Sequence, residues 1–517
     1  MVAPGQTLTA RAIWAGYLAM ILGNFMAILD IQIVASSLRE IQAGVSASAD
    51  EISWVQTSYL IAEVIAIPLS ALLGRALSMR RLFLISVTGF TAMSLACAVA
   101  WNIESLILFR TLQGFLGGAM IPTTMAALFI LFPEAKRGPA IVLVGMVSTL
   151  APSIGPTLGG WITETMGWHW LFLINIVPGA AAAFAVWRFS PLTQAEPTLL
   201  KRLDVLGLVG MALFLGSLEI VLEEGPGHDW LEDDFVFTMA VTMVAGGGLF
   251  IWRAFTAAEP IVDLKVFANR NFTVAAIVSM LAGVGLYGSV YLMPLFLGGV
   301  RGYNAVQIGE VMMVTGIAMF LTAPVVGKLQ AMVDLRLLLG LGIGLTALGM
   351  WENASLTAES SFWEFALPQA LRGSGLMMCM IPMTGIALGT LPPERVQNAS
   401  GLFNLTRNLG GALGLAIINT LLDDGRALHR TELASAVSAG HGDVGGWLDQ
   451  TAAALSAQGV ADPAAAALAR LAGLVEREAN VMAFNNVFVT MALAFALLLP
   501  LVLVTRQAKA AAPGGGH

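Results

Sequence analysis

LILFRTLQGFLGGAM, Leu106 to Met120, sits inside an apolar run over 105–131 whose one charged residue is Arg110. A membrane-crossing helix needs about 20 mostly apolar residues. An arginine at the middle of such a helix costs about 2.5–3.5 kcal/mol to insert. The run therefore reads as a span, and Arg110 as a residue held there for a purpose. Similar runs lie near 14–36, 52–74, 81–100, 138–162 and 168–188, then near 204–222 and 235–256. Six more lie near 272–297, 304–327, 335–354, 362–390, 399–422 and 481–505. With 105–131 they make fourteen expected spans, grouped as six, two and six.

Composition agrees with that reading. Hydrophobic residues make up 57% of the 517 and charged residues 11%, where a soluble domain carries about 25% charged. So few charges cannot cover a water-facing surface, and lipid is the solvent that tolerates one without them. The first run lacks a small-residue cleavage pattern and reads as a retained span rather than a signal peptide. Cys97 and Cys379 both lie in apolar runs, so neither a disulfide framework nor a metal site is expected. The five histidines show no ligand spacing, and no Gly-rich Lys-Ser/Thr phosphate loop is present. The sequence thus predicts no cofactor, no ATP-driven step, no enzyme chemistry and no nucleic-acid partner.

Basic residues orient the spans. With the N-terminus in the cytoplasm, seventeen of the 26 Lys and Arg fall on cytoplasmic segments, among them Arg75, Arg80, Arg81, Lys136, Arg137, Lys201, Arg202, Arg506 and Lys509. Six fall outside, four of them in one long loop, and Arg110, Arg372 and Arg407 lie within spans. This is the positive-inside pattern, with both termini cytoplasmic. A shift of 260 residues lays Met120-Ile121-Pro122 on Met380-Ile381-Pro382 and Pro133-Glu134 on Pro393-Glu394. The expected organisation is a six-helix bundle at 1–190, two inserted helices at 191–265, and a second six-helix bundle at 266–517. That last part includes an outer loop at 423–480, which reads as short helices with an N-cap at Asp462 before Pro463.

A second motif is APSIGPTLGGWI, Ala151 to Ile162. Gly155 and Gly159 are four apart on one helix face and permit close helix packing; Pro156 removes a helix hydrogen bond, and Gly160 follows. Packing alone also accounts for each glycine taken singly. For Arg110, the readings are a cation paired with a titratable carboxylate or a hydrogen-bond hub for carbonyls.

These two segments resemble the fourth- and fifth-helix signatures of the major facilitator superfamily, the second being similar to its antiporter motif. WHWLFLINIVPG (168–179), SGLFNLTRNLGGALGLA (400–416) and LDIQIVASSL (29–38) resemble the EmrB/QacA-like drug:proton antiporters, a fourteen-helix branch. The chain departs from the family pattern in LLGRALSMRRLF (72–83), which lacks the usual aspartate, in His169, which replaces an arginine, and in Asn486, where an aspartate is common. The resemblance implies an all-α fold of two six-helix bundles plus two extra helices in a bacterial inner membrane. It implies proton-driven export of amphipathic or cationic drugs, with a periplasmic EmrA-like adaptor and an outer-membrane channel as partners. It also places a functional acid at Asp30, with Arg110 as its partner.

Other carboxylates are buried candidates. Glu63 lies mid-span and Glu310 inside the tenth run, so Asp30, Glu63, Arg110 and Glu310 form the expected proton-coupling set. Glu219, near the end of its run, reads as interfacial. Asn24, Phe25, Tyr59, Gln113, Tyr287, Tyr291, Met313 and Met383 are candidates to line a substrate cavity, since flexible thioethers suit a promiscuous pocket. Core filling is the simpler account of the methionines. Arg75 and Arg407 are candidate gate residues, Arg407 one turn into its span. Trp101, Trp161, Trp168 and Trp230 read as interfacial anchors. Export of a dedicated metabolite or fatty acid is the alternative on this scaffold, and a non-transporting assembly protein the alternative outside it.

Overall fold

The computed structural model describes residues 9–133, 137–191, 194–330, 332–438 and 444–505, and these are all-α. Lys136, Glu134, Arg506, Lys509 and the Gly-rich C-terminus lie outside the described residues. Among the described residues fourteen long helices follow one another. The first six are α1 (Ala10–Ala35), α2 (Trp54–Leu77), α3 (Met79–Ala98), α4 (Ile103–Leu131), α5 (Arg137–Met166) and α6 (His169–Phe189). Two more are α7 (Val205–Glu224) and α8 (Asp234–Thr256). The last six are α9 (Arg270–Gly299), α10 (Ala305–Leu329), α11 (Leu335–Asn353), α12 (Phe362–Leu388), α13 (Pro393–Ser438) and α14 (Pro463–Ala496).

Among the described residues, thirteen of these helices are long and apolar enough to cross a membrane. The exception is α13, which covers the span expected at 399–422. Thr406-Arg407-Asn408 puts three polar residues in its first half, and the helix runs on for 46 residues through Asp423, Asp424, Arg426 and Arg430. The outer loop is accordingly an extension of its neighbours. α13 continues into it as far as Ser438, a separate helix covers Val444–Ala457, and α14 begins at Pro463. Asp462 does cap α14, accepting from Ala465 N–H at 3.0 Å.

Two spans break at proline. In α4 the helix is interrupted at Ala119, where Pro122 removes a backbone donor and its ring crowds the carbonyl four residues back, at Gly118. In α6 the interruption at Ile174–Asn175 has the same relation to Pro178. Turning the chain there frees the Asn175 side chain to point inward.

Packing repeats between the two sets of six. α1 packs on α5 and α6, α2 on α4, α3 on α4 and α6; α9 packs on α13 and α14, α10 on α12, α11 on α12 and α14. Helix approaches are close where glycine permits. A Cβ on Gly114 would lie 2.3 Å from Tyr59 O, and one on Gly410 1.9 Å from Met280 O. The two sets meet along α2–α13 and α5–α10. Ser400 Oγ donates to Pro122 O at 3.2 Å, and Gly309 sits against Thr157. α7 and α8 form a hairpin tied by Arg253 and Asp204 at 2.9 Å, and Asp204 also caps α7 through Gly207 N–H at 3.1 Å. This hairpin is not peripheral to the halves, because α7 packs on both α2 and α13.

Candidate functional site

Asp30 and Arg110 are both 0% exposed, and Arg110 Nη1 lies 2.5 Å from Asp30 Oδ2. One residue comes from α1 and the other from α4, so the pair exists only when the helices are packed. Burying either charge alone costs several kcal/mol, and the geometry here satisfies both. Gln113, one turn along α4, donates to Asp30 Oδ1 at 3.2 Å and accepts from Arg110 at 2.8 Å. Asn175 donates to the same Oδ1 at 2.7 Å. Ser94 Oγ accepts from Gln113 at 2.7 Å and from Asn175 at 3.2 Å, closing the network from α3. Arg110 Nε donates to Val55 O at 3.2 Å, and the guanidinium lies 4.2 Å from the Tyr59 ring centre. Its Nη2 has no partner.

Glu63 is one helical turn beyond Tyr59 on α2 and 1% exposed. Its Oε1 has no hydrogen-bond partner. Arg407 and Arg110 are the cations within electrostatic reach. Arg407 is itself 4% exposed; its Nη2 donates to Asn404 at 2.8 Å and its Nε is unpartnered. The expectation that Arg407 lies one turn into its span is overturned. The helix starts at Pro393, several turns before Arg407, and packing of α13 buries the guanidinium.

The structure brings Asp30, Arg110, Gln113, Tyr59 and Glu63 together. It does not bring Glu310, which is exposed near the start of α10, where a carboxylate meets solvent or headgroups rather than the network. The expected cavity residues differ in exposure. Tyr59 and Met383 are 0% exposed and packed, Phe25 is half-buried, and Tyr287 lies against Gly411. Tyr291 and Met313 are 38% and 53% exposed. Met312, not Met313, faces inward, since successive helix residues point about 100° apart. Asn24 is 1% exposed with both amide atoms unpartnered, a polar handle left open. The halves touch along both seams, α2–α13 and α5–α10.

The glycine motif packs on α1. A Cβ on Gly155 would stand 2.4 Å from Gln32 Cβ, and one on Gly159 2.6 Å from Ile33 O. Pro156 and Gly160 are half-buried on the same helix, which stays continuous over Arg137–Met166. Arg75 is 56% exposed and pairs with Glu196 at 3.9 Å, a surface contact. Trp101 and Trp161 are exposed as anchors should be, whereas Trp168 is buried and stacked on His169 at 3.9 Å. Glu219, expected at the interface, is 2% exposed. Asn175 and Ser94 stand outside the expected site residues, although Pro178 marks the break that aims Asn175.

The profile of the Major Facilitator Superfamily matches residues 20–415. The Colistin resistance protein EmrB of Acinetobacter baumannii is 51% identical over 424 residues, covering 82% of this chain and 83% of that one. The Multidrug export protein EmrB of Escherichia coli K12 is 30% identical over 501 residues, covering 96% of each. Among solved structures, the human organic anion transporter MFSD10 superposes with a TM-score of 0.60 at 12% identity, over 95% of this chain and 99% of that one, a likeness of fold. The chain belongs to the Major Facilitator Superfamily and is a multispan membrane transporter rather than an enzyme.

Proposed function

We propose that the chain is a proton-coupled drug exporter in which Asp30, Arg110 and Glu63 couple proton movement to substrate release. The observation that carries the reading is a charge-matched buried pair beside an unmatched buried acid. Asp30 has its charge balanced by Arg110 at 2.5 Å, while Glu63 Oε1 has no partner. An unpaired carboxylate in low dielectric is expensive and the neutral acid is not. Glu63 is therefore the group whose charge can change during the cycle, gaining a proton from the outer side and losing it when a cationic substrate or Arg407 approaches.

The names of the relatives, colistin resistance and multidrug export, support drugs as the cargo. An amphipathic or cationic molecule enters from the cytoplasm or inner leaflet. The halves rock about the buried network in alternating access. Both termini are cytoplasmic on the basic-residue pattern, and the membrane is the bacterial inner one.

The test is drug-induced proton movement across liposomes holding the purified protein. A lipophilic cation is expected to release protons with the wild type and not with Glu63→Gln. Proton release undiminished in that variant would remove Glu63 from the mechanism. Drug flux with no proton movement in the wild type would remove the antiport reading itself.

A periplasmic adaptor and outer-membrane channel complete the export route in this reading. The helical extension of α13, the helix at Val444–Ala457 and the start of α14 form the surface that docks the adaptor. Deleting 430–475 is expected to abolish adaptor pull-down and leave liposome transport in place. Retained pull-down would show that docking lies elsewhere.

A further inference from the structure

We infer that Glu219, on the first helix of the α7–α8 hairpin, is a proton-binding residue of the transport cycle and relays protons between the outer face and Glu63. This rests on the antiport reading and extends it to a helix pair that the coupling network leaves without a task.

The argument starts from where α7 lies. Gly216 faces α2, where an added Cβ would stand 3.4 Å from Ile61 and 3.8 Å from Ile65, the residues flanking Glu63. Two turns of α7 later, Leu222 packs with Ala412 and Ala416 of α13, joined by Leu218 and Leu413. α7 thus lies over the seam where α2 of one half meets α13 of the other. Glu219 sits between those two contacts and is 2% exposed, with Oε2 unpartnered. A carboxyl buried among apolar helices with no counter-ion is costly to keep there, which marks it as a functional residue.

The groups facing it are acids. Glu63 reaches it from α2 and Glu223 from its own helix. α13 presents alanine and leucine at this level, with Arg407 reaching Glu63 rather than Glu219. α8 carries its only charges, Asp234 and Arg253, at its two ends. Beyond Glu223 the series continues outward. Glu224 accepts from Ser53 Oγ at 3.2 Å and lies 3.8 Å from the partly exposed His228. From His228 inward, exposure falls from 45% at its side chain to 11% at Glu224 and then to the buried Glu219 and Glu63. In the relay the O–H bond of Glu219 breaks as one forms on Glu63, and Glu219 is reprotonated from the outer side. No other co-reactant is needed. Rocking of α2 against α13 opens and closes the seam that Glu219 plugs, which gives the relay its direction.

The experiment compares wild type, Glu219→Gln and Glu219→Asp in liposomes, reading proton release on addition of a lipophilic cation alongside cation binding by tryptophan quenching. Expected are unchanged binding in all three, lost proton release in Glu219→Gln, and partial rescue in Glu219→Asp. Wild-type release in Glu219→Gln overturns the inference and leaves the antiport reading standing. No release in the wild type removes that reading, a distinguishable failure. A second measurement avoids dependence on a variant's folding: an apolar carbodiimide, which reacts with protonated buried carboxyls, is expected to label Glu219 in the wild type, less so after cation is added. A Glu219 that stays unlabelled while Glu63 reacts overturns the inference as well.

Discussion

Asp30→Asn and Arg110→Gln are each expected to abolish drug-driven proton release and to lower the apparent melting midpoint in detergent, while the double variant recovers most of the midpoint and none of the proton release. The pair lies at 2.5 Å with both side chains 0% exposed. Removing one member leaves the other as an uncompensated buried charge, a cost of about 3–5 kcal/mol. The Arg110 guanidinium would then keep Gln113 at 2.8 Å and Val55 O at 3.2 Å but face no anion. The Asp30 carboxylate would keep the donors of Gln113 and Asn175. Replacing both charges with amides removes the orphan charge and keeps hydrogen-bonding groups in place, so the fold recovers. Proton release does not, because the Asp30–Arg110 charge pair that stands beside Glu63 in the coupling network is gone. Additive midpoints in the double variant would show that the two residues act independently. Coupling that survives in Asp30→Asn or in the double variant would take Asp30 out of the cycle, and coupling that survives in Arg110→Gln would take Arg110 out of it.

What the sequence showed of this site, and what it hid, divides along one line. Features of a single segment were legible. The spans followed from apolar runs, Arg110 from its isolation in one, and the N-cap at Asp462 from its place before Pro463. Features that need two segments were not. Pro178 was visible, but that its break turns Asn175 onto Asp30 depends on where α1 passes. Glu219 stands near the end of its run, where an acid is usually interfacial. It is buried because α2 and α13 close over it, and nothing in residues 204–222 announces those neighbours. Arg407 was misplaced for a related reason, since the helix boundary at Pro393 lies well ahead of the apolar run used to find it. Met313 stands one residue of helical phase from the buried Met312. α13 was half legible, found as an apolar run that Thr406-Arg407-Asn408 dilutes.

Gly159→Ala, a change of one methyl, is expected to lose proton-coupled transport and to lower the melting midpoint, and Gly344→Ala, the same change elsewhere, is expected to do neither. In an exposed helix interior alanine is favoured over glycine by about 1 kcal/mol. Gly344, on α11, has nothing within 4 Å of an added Cβ, so that preference acts unopposed and the variant should be as stable as wild type or more so. At Gly159 the Cβ would stand 2.3 Å from Ser36 Oγ, 2.6 Å from Ile33 O and 2.9 Å from Ile33 Cα. The hydroxyl can rotate away. The backbone of Ile33 cannot, so α1 itself must shift, and overpacking of this kind costs about 1–3 kcal/mol. The shift matters beyond stability because Ile33 is one turn from Asp30. Moving α1 outward at Ile33 tilts the carboxylate that Arg110, Gln113 and Asn175 hold at 2.5–3.2 Å. A packing glycine and a functional glycine are here the same residue, since the close approach is what delivers Asp30 to its partners. The distinction becomes measurable in order of loss: coupling should fail at temperatures where Gly159→Ala is still folded and still binds drug. If the variant transports normally up to its melting point, the glycine face sets only stability, and α1 tolerates displacement without consequence for Asp30.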